Sequence, residues 1–150
     1  DLLKPAVTVK DGNVTLKKDR DYTVSYSANK GIGTAKVTVT GKGSYTGKIT
    51  KTFKINPQGQ SISAKGDKSG KKIAVTLAKH SSNSGYQVSY ADNSGFKNSK
   101  SLWLSGNSKN KGTIKGLKSK KTYYVKARDY KTIGKTKVYG KWSAVKKVSI

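Results

Sequence analysis

The 150-residue chain contains no cysteine, no methionine and no glutamate, and has a single histidine and two prolines. Without cysteine there is no disulfide framework and no thiolate metal site. Nucleophilic catalysis needs a base beside a hydroxyl or thiol. The one imidazole, His80, runs into Ser81-Ser82-Asn83-Ser84 and is expected as a surface-loop histidine. The only acids are seven aspartates. Asp19 and Asp21 flank Arg20 and follow Lys17-Lys18, so nearby positive charge opposes a calcium ion there. Asp67, Asp92 and Asp129 do not form the paired carboxylates of a glycosidase. An internal Lys–Asn isopeptide bond needs a carboxylic acid beside it, and glutamate is absent while the aspartates sit near turns. Gly31-Ile32-Gly33 continues as Thr34-Ala35-Lys36, not as a phosphate-cradling loop. The expectation is a non-enzyme with no metal and no cofactor.

Long apolar runs are also missing. None approaches the ~20 residues that cross a bilayer as a helix, so no membrane span is expected. No secretory signal is visible, and residue 1 falls inside what reads as a folded unit. The chain is therefore expected to be a segment of a longer protein.

Positive charge is what the chain has in excess. Thirty-two Lys and Arg face the seven acids, for a net charge of +25. Such a surface repels its own copies, which predicts a monomer, and attracts polyanions most strongly at low salt. The same lysines also keep a β-rich chain soluble and its sheet edges unpaired. Residues 1–56 hold 11 basic and 4 acidic residues and residues 57–150 hold 21 and 3, net charges of +7 and +18. An electrostatic partner is therefore expected to prefer the second part.

Hydrophobic residues make up 33% of the chain, mostly in alternating runs, and that order predicts thin β cores rather than disorder. Strands are predicted at Ala6–Val9, Asp21–Tyr26, Thr34–Thr40 and Ile49–Ile55, with Ala35, Val37 and Val39 inward and Tyr45 at the end of the core. Asn56-Pro57-Gln58-Gly59-Gln60 interrupts the alternation, so 57–60 reads as a short linker. Seven strands are predicted after it, at Ser61–Ala64, Lys72–Ala78, Tyr86–Ala91, Ser101–Ser105, Gly112–Ile114, Thr122–Tyr130 and Tyr139–Ile150. The rhythm is that of an antiparallel Greek-key sandwich. Trp103 alternates out of phase with Leu102 and Leu104, so either it or they face the core.

Leu117-Lys118-Ser119-Lys120-Lys121-Thr122-Tyr123-Tyr124-Val125-Lys126-Ala127-Arg128 resembles the sixth strand of a fibronectin type III domain. Gly85-Tyr86-Gln87-Val88-Ser89-Tyr90 resembles the third strand, and Tyr139-Gly140-Lys141-Trp142-Ser143 the last. The resemblance covers residues 61–150 and implies a tyrosine corner at Tyr123, its hydroxyl bonding to the chain upstream. Leu77 stands where the family commonly has tryptophan. Residues 1–56 resemble a bacterial immunoglobulin-like repeat of Gram-positive secreted and wall proteins. The resemblance rests on Pro5–Gly12, Asp21–Tyr26, Gly33-Thr34-Ala35 and Gly41–Gly47, and the family's first strand would lie before Asp1. The implied fold class is all-β, two tandem sandwiches.

On the sixth strand Val125 and Ala127 fall inward, so Tyr124, Lys126, Arg128 and Tyr130 are expected outward. The neighbouring last strand supplies Tyr139, Lys141 and Trp142. Cations beside rings can stack as a ladder, each exposed contact contributing about 0.5–1 kcal/mol. Such a face either protects the sheet or docks an anionic polymer. Single-stranded nucleic-acid grooves also interleave rings and cations, but no nucleic-acid motif is present and no specific nucleic acid is expected. Both resemblances imply a non-catalytic spacer segment of a large extracellular surface or secreted protein. Its partners would be other domains of the parent chain and, through the basic face, anionic cell-wall polymer. The alternatives are an adhesin module for host glycans and an accessory segment of a secreted enzyme.

Overall fold

The computed structural model describes residues 2–150, and these build strands and turns with no helix among them. The chain divides into two compact units, one ending at Ile55 and the other spanning Asn56–Ile150.

In the first unit, β1 (Lys10–Asp11) and β2 (Val14–Thr15) form a small hairpin. Its turn uses Gly12 at φ 58°, a left-handed conformation that suits glycine. Then β3 (Tyr22–Ser27), β4 (Gly33–Gly41) and β5 (Lys48–Ile55) make an antiparallel meander. Ala35, Tyr22, Leu16 and Ile55 are its buried apolar residues. Tyr45 is half-buried and lines a cavity with Leu16, Tyr22 and Val39. One expectation is corrected. Ala6–Val9 is not a strand. Isolated bonds hold residues 3–9 instead: the Tyr22 hydroxyl donates to Val7 O, Tyr26 to Pro5 O and the Asn29 amide to Leu3 O, while backbone bonds join Leu16 N to Val9 O and Leu3 N to Asn29 O. Ile49 shares the parity of Phe53 and Ile55 and is 58% exposed. As the edge of its sheet, β5 carries Lys48, Lys51 and Lys54, charges that discourage further pairing.

The second unit begins earlier than the sequence suggests. Residues 57–60 fold onto it rather than linking to it, and Pro57 and Gln60 are buried. The Gln60 amide donates to Ala78 O (3.1 Å) and to the Asp129 carboxylate (2.6 Å). Its oxygen accepts from Ser61 N (2.7 Å) and Ala78 N (2.9 Å). All four polar valences of this side chain are used, which is how a buried amide avoids a desolvation penalty.

After this staple come β6 (Ile62–Asp67), β7 (Lys72–Leu77), β8 (Gly85–Ala91), β9 (Lys100–Ser105), β10 (Lys111–Ile114) and β11 (Thr122–Ile133). The last two are β12 (Thr136–Tyr139) and β13 (Lys146–Ser149). One sheet has the order β10-β7-β6. In the other, β11 lies beside β8, β8 beside β9, and both β12 and β13 pair along the free side of β11. Alternation puts Ile73, Val75 and Leu77 from one sheet against Tyr86, Val88 and Val125 from the other. Leu77 therefore fills the core and is 3% exposed.

The last strand, expected to run unbroken from Tyr139 to Ile150, is interrupted over residues 140–145. There Ser143 replaces part of the ladder. Its N–H donates to Ala127 O (2.7 Å), and its Oγ accepts from Ala127 N (3.0 Å). Gly140 has a steric reason: a Cβ there would lie 2.9 Å from Pro57 O as residues 57–58 pass over it.

The two ends of this unit lie apart. Gln60 is bound beside Asp129 on β11, whereas Ile150 N donates to Lys121 O just before β11 begins. From Thr122, where β11 begins, to Asp129 is seven rises of extended strand, about 23 Å at ~3.3 Å per residue.

Candidate functional site

Strand β11 places the side chains that matter. Tyr123, Val125, Ala127 and Asp129 point inward and are buried; Tyr124, Lys126 and Arg128 point outward. Lys126 lies opposite Ser89 and Arg128 opposite Gln87, so small or flexible neighbours on β8 leave room above the sheet. Into that room come Trp142 from the interrupted segment, Tyr139 from β12 and Phe96 from the β8–β9 loop.

The result is one alternating stack. Lys126 Nζ lies 4.0 Å from the centre of the Phe96 ring and 4.9 Å from Trp142. Arg128 Cζ lies 4.2 Å from Trp142 and 3.7 Å from Tyr139. The order is Phe96, Lys126, Trp142, Arg128, Tyr139. Arg128 is further oriented by a 2.8 Å bond from Nε to Gln87 Oε1, and Gln87 Nε2 donates to Ser101 at 3.0 Å. Partial burial lowers the Arg128 pKa from its ordinary value. Arginine nonetheless remains charged at any physiological pH. Both cations lie against ring faces, and neither forms a salt bridge among the described residues.

Of the expected face, Lys126, Arg128, Tyr139 and Trp142 come together. Tyr124 is outward and half-buried and Lys141 is exposed, and neither stacks in the ladder among the described residues. Tyr130 is corrected: it has outward parity but is only 6% exposed. Trp103 packs edge-on against it, with centroids 5.5 Å apart, and its hydroxyl end sits over Gly85, where a Cβ would approach to 2.7 Å. Lys137 Nζ lies 5.6 Å from both rings. Trp103 itself is 44% exposed, while Leu102 and Leu104 pack against the core. Phe96 joins the ladder from a loop, and its one trace in the sequence is a lone aromatic in the polar stretch 92–99.

The Tyr123 hydroxyl accepts a 2.9 Å bond from Lys118 N, five residues upstream. His80 differs from expectation. It is half-buried, with Nδ1 2.6 Å from a carboxylate oxygen of Asp129. Asp129 is completely buried, so Gln60 and His80 together supply the partners that a buried carboxylate requires.

No family model matches the chain, and neither does any curated protein. Among solved structures it is similar to the chicken CNTN1 FN1-FN3 domains. The TM-score is 0.52 and the identity 19%, over 78% of this chain and 42% of that one. The fold is fibronectin type III-like. At that identity the likeness concerns architecture only, and it fits the two-sheet order β10-β7-β6 and β11-β8-β9.

Proposed function

We propose that the chain is a non-catalytic spacer segment of a large extracellular bacterial surface protein, its first unit an immunoglobulin-like repeat and its second a fibronectin type III module. The observation that carries this reading is the path through the second unit. Gln60 is fixed at one end of the sandwich and Ile150 leaves at the other, so each such module adds length between its neighbours. Cell-surface location and a Gram-positive source belong to this proposal through the resemblances of sequence.

The basic surface extends the same reading. The second unit's three carboxylates are all engaged, Asp67 by Lys72, Asp92 by Lys121 and Asp129 by His80. Most of its 21 basic residues therefore have no acid to pair with. Teichoic acids and other anionic wall polymers are partners of suitable charge. The test is binding of the chain to immobilised teichoic acid, heparin, mucin glycans and DNA across a salt series. Similar binding to all four that fades between roughly 50 and 200 mM salt supports the reading. Salt-resistant binding to one glycan, lost on Trp103→Ala or Trp142→Ala, overturns it in favour of an adhesin. The exposed Trp103 beside Lys137 is the feature that favours this second reading.

A further inference from the structure

We propose that the second unit carries a small binding site, separate from the cation–π ladder, for a single sugar unit bearing a carboxylate, sulfate or phosphate group. The site is a pocket of about 210 Å³ between the β8–β9 and β10–β11 loops. That is below the roughly 300–1,000 Å³ of sites for drug-sized ligands, and equals the space of about seven waters at ~30 Å³ each. It suits one ring, not an oligosaccharide.

The lining has two chemistries. Tyr90, Leu117 and Tyr123 form an apolar and aromatic part, and Lys100, Lys115 and Lys118 bring positive charge. A sugar offers an apolar C–H face to the first and, when acidic, an anion to the second. The Tyr123 hydroxyl is already used by Lys118 N. The Tyr90 hydroxyl has no hydrogen-bond partner among the described residues, so this half-buried side chain offers a donor to ligand. The three lysines form no salt bridge among the described residues. Asp92, the one acid in the lining, has Lys121 Nζ at 3.4 Å and the Asn93 amide at 3.4 Å. Its charge is thereby partly offset, and the lysines set the sign of the pocket.

The wall is preformed. In the β8–β9 loop the Asn93 side chain bonds Lys97 twice, accepting from its N–H and donating to its carbonyl, both at 2.9 Å. Phe96 and Asn98 both hold positive φ, 55° and 54°, which costs energy and persists only where surroundings fix the chain. Lys126 stacked on Phe96 is one such restraint. The ladder thus stiffens the loop that supplies Asn98 to the pocket. A rigid site loses less entropy on binding.

The experiment is a titration of the whole chain, followed by amide chemical shifts, with glucuronate, glucose 6-sulfate and glucose 6-phosphate. Neutral glucose and inorganic sulfate are the controls. The three acidic sugars are expected to shift Asn98, Leu117, Lys118 and Tyr123 and to bind at least about tenfold tighter than either control, since a charge-assisted bond and ring contact act together. The rank order among the three identifies the anion preferred. Tyr90→Phe and Lys115→Gln are each expected to weaken binding about two- to tenfold, and Lys135→Gln, outside the pocket lining, to leave it unchanged. The proposal is overturned if sulfate binds as well as the sugars, if shifts spread over all lysine-bearing surfaces, or if Tyr90→Phe and Lys115→Gln act no differently from Lys135→Gln. Polymer adhesion through net charge would survive that outcome, so the two proposals fail separately.

Discussion

Replacing Gln60 with alanine tests whether residues 57–60 belong to the second sandwich. The change removes two bonds to Ala78, one to Ser61 and one to Asp129. Ser61 is exposed, so water replaces its lost partner. Asp129 is wholly buried and is left with His80 alone. A hydrogen bond to a charged group is worth about 1.5–3 kcal/mol and a neutral one about 0.5–1.5, so losing the Asp129 bond and the two to Ala78 is expected to cost about 2.5–6 kcal/mol. In a domain of this size each kcal/mol lowers Tm by about 4–8 °C, which predicts a fall of roughly 10 °C or more. Both tryptophans, Trp103 and Trp142, lie in the second unit, so indole fluorescence of the whole chain reports its unfolding alone. In an Asp129→Asn background the effect of Gln60→Ala should shrink, because the two side chains share one network. A change of less than about 3 °C would refute the reasoning and return 57–60 to the role of a linker.

Other outcomes follow from the same geometry. Tyr123→Phe should cost about 1 kcal/mol by chemical denaturation, the net value of the bond from Lys118 N. Trp142→Ala should cost about 1–2 kcal/mol through its contacts with Lys126 and Arg128 alone, and should raise amide exchange in the 92–99 loop. Asp21 is held at about 2 by the Arg20 hydrogen bond and then by Lys17 N, and Asp67 at about 2 by Gly70 N and then by the Ser69 hydroxyl. Both are depressed on folding, so their contribution is complete above about pH 4 and is lost as pH falls through about 2. Acid titration of Asp21→Asn should flatten that part of the first unit's stability profile, and Asp67→Asn the second's.

Most of the second unit was legible because a two-residue period with one buried face leaves a strong trace in sequence. Val125, Ala127 and Tyr123 follow it, and Lys126 and Arg128 follow by complement. The misses occur where a side chain does what backbone usually does, or where tertiary contact overrides parity. Gln60 and Ser143 bond to ladder groups, and nothing in a local pattern distinguishes them from polar loop residues. Tyr130 has outward parity yet is buried, because Gly85 on a different strand makes space for it and Trp103 covers it. His80 and Asp129 meet across 49 residues, and Phe96 reaches Lys126 from a loop without periodicity. In the first unit, Ala6–Val9 alternates like a strand, but the Tyr22 side chain binds the Val7 carbonyl and the Tyr26 side chain the Pro5 carbonyl just before it.

The spacer reading rests on chain ends fixed at opposite poles of the second unit, and one distance measurement tests this directly. With no native cysteine, spin labels can be placed through Gly59→Cys, where a Cβ meets nothing within 4 Å, and Ser149→Cys, which is exposed. Pulsed dipolar spectroscopy should give one narrow distribution centred no shorter than about 23 Å, the span of β11 between the two levels. A broad distribution, or a dominant distance well below that span, would contradict the account.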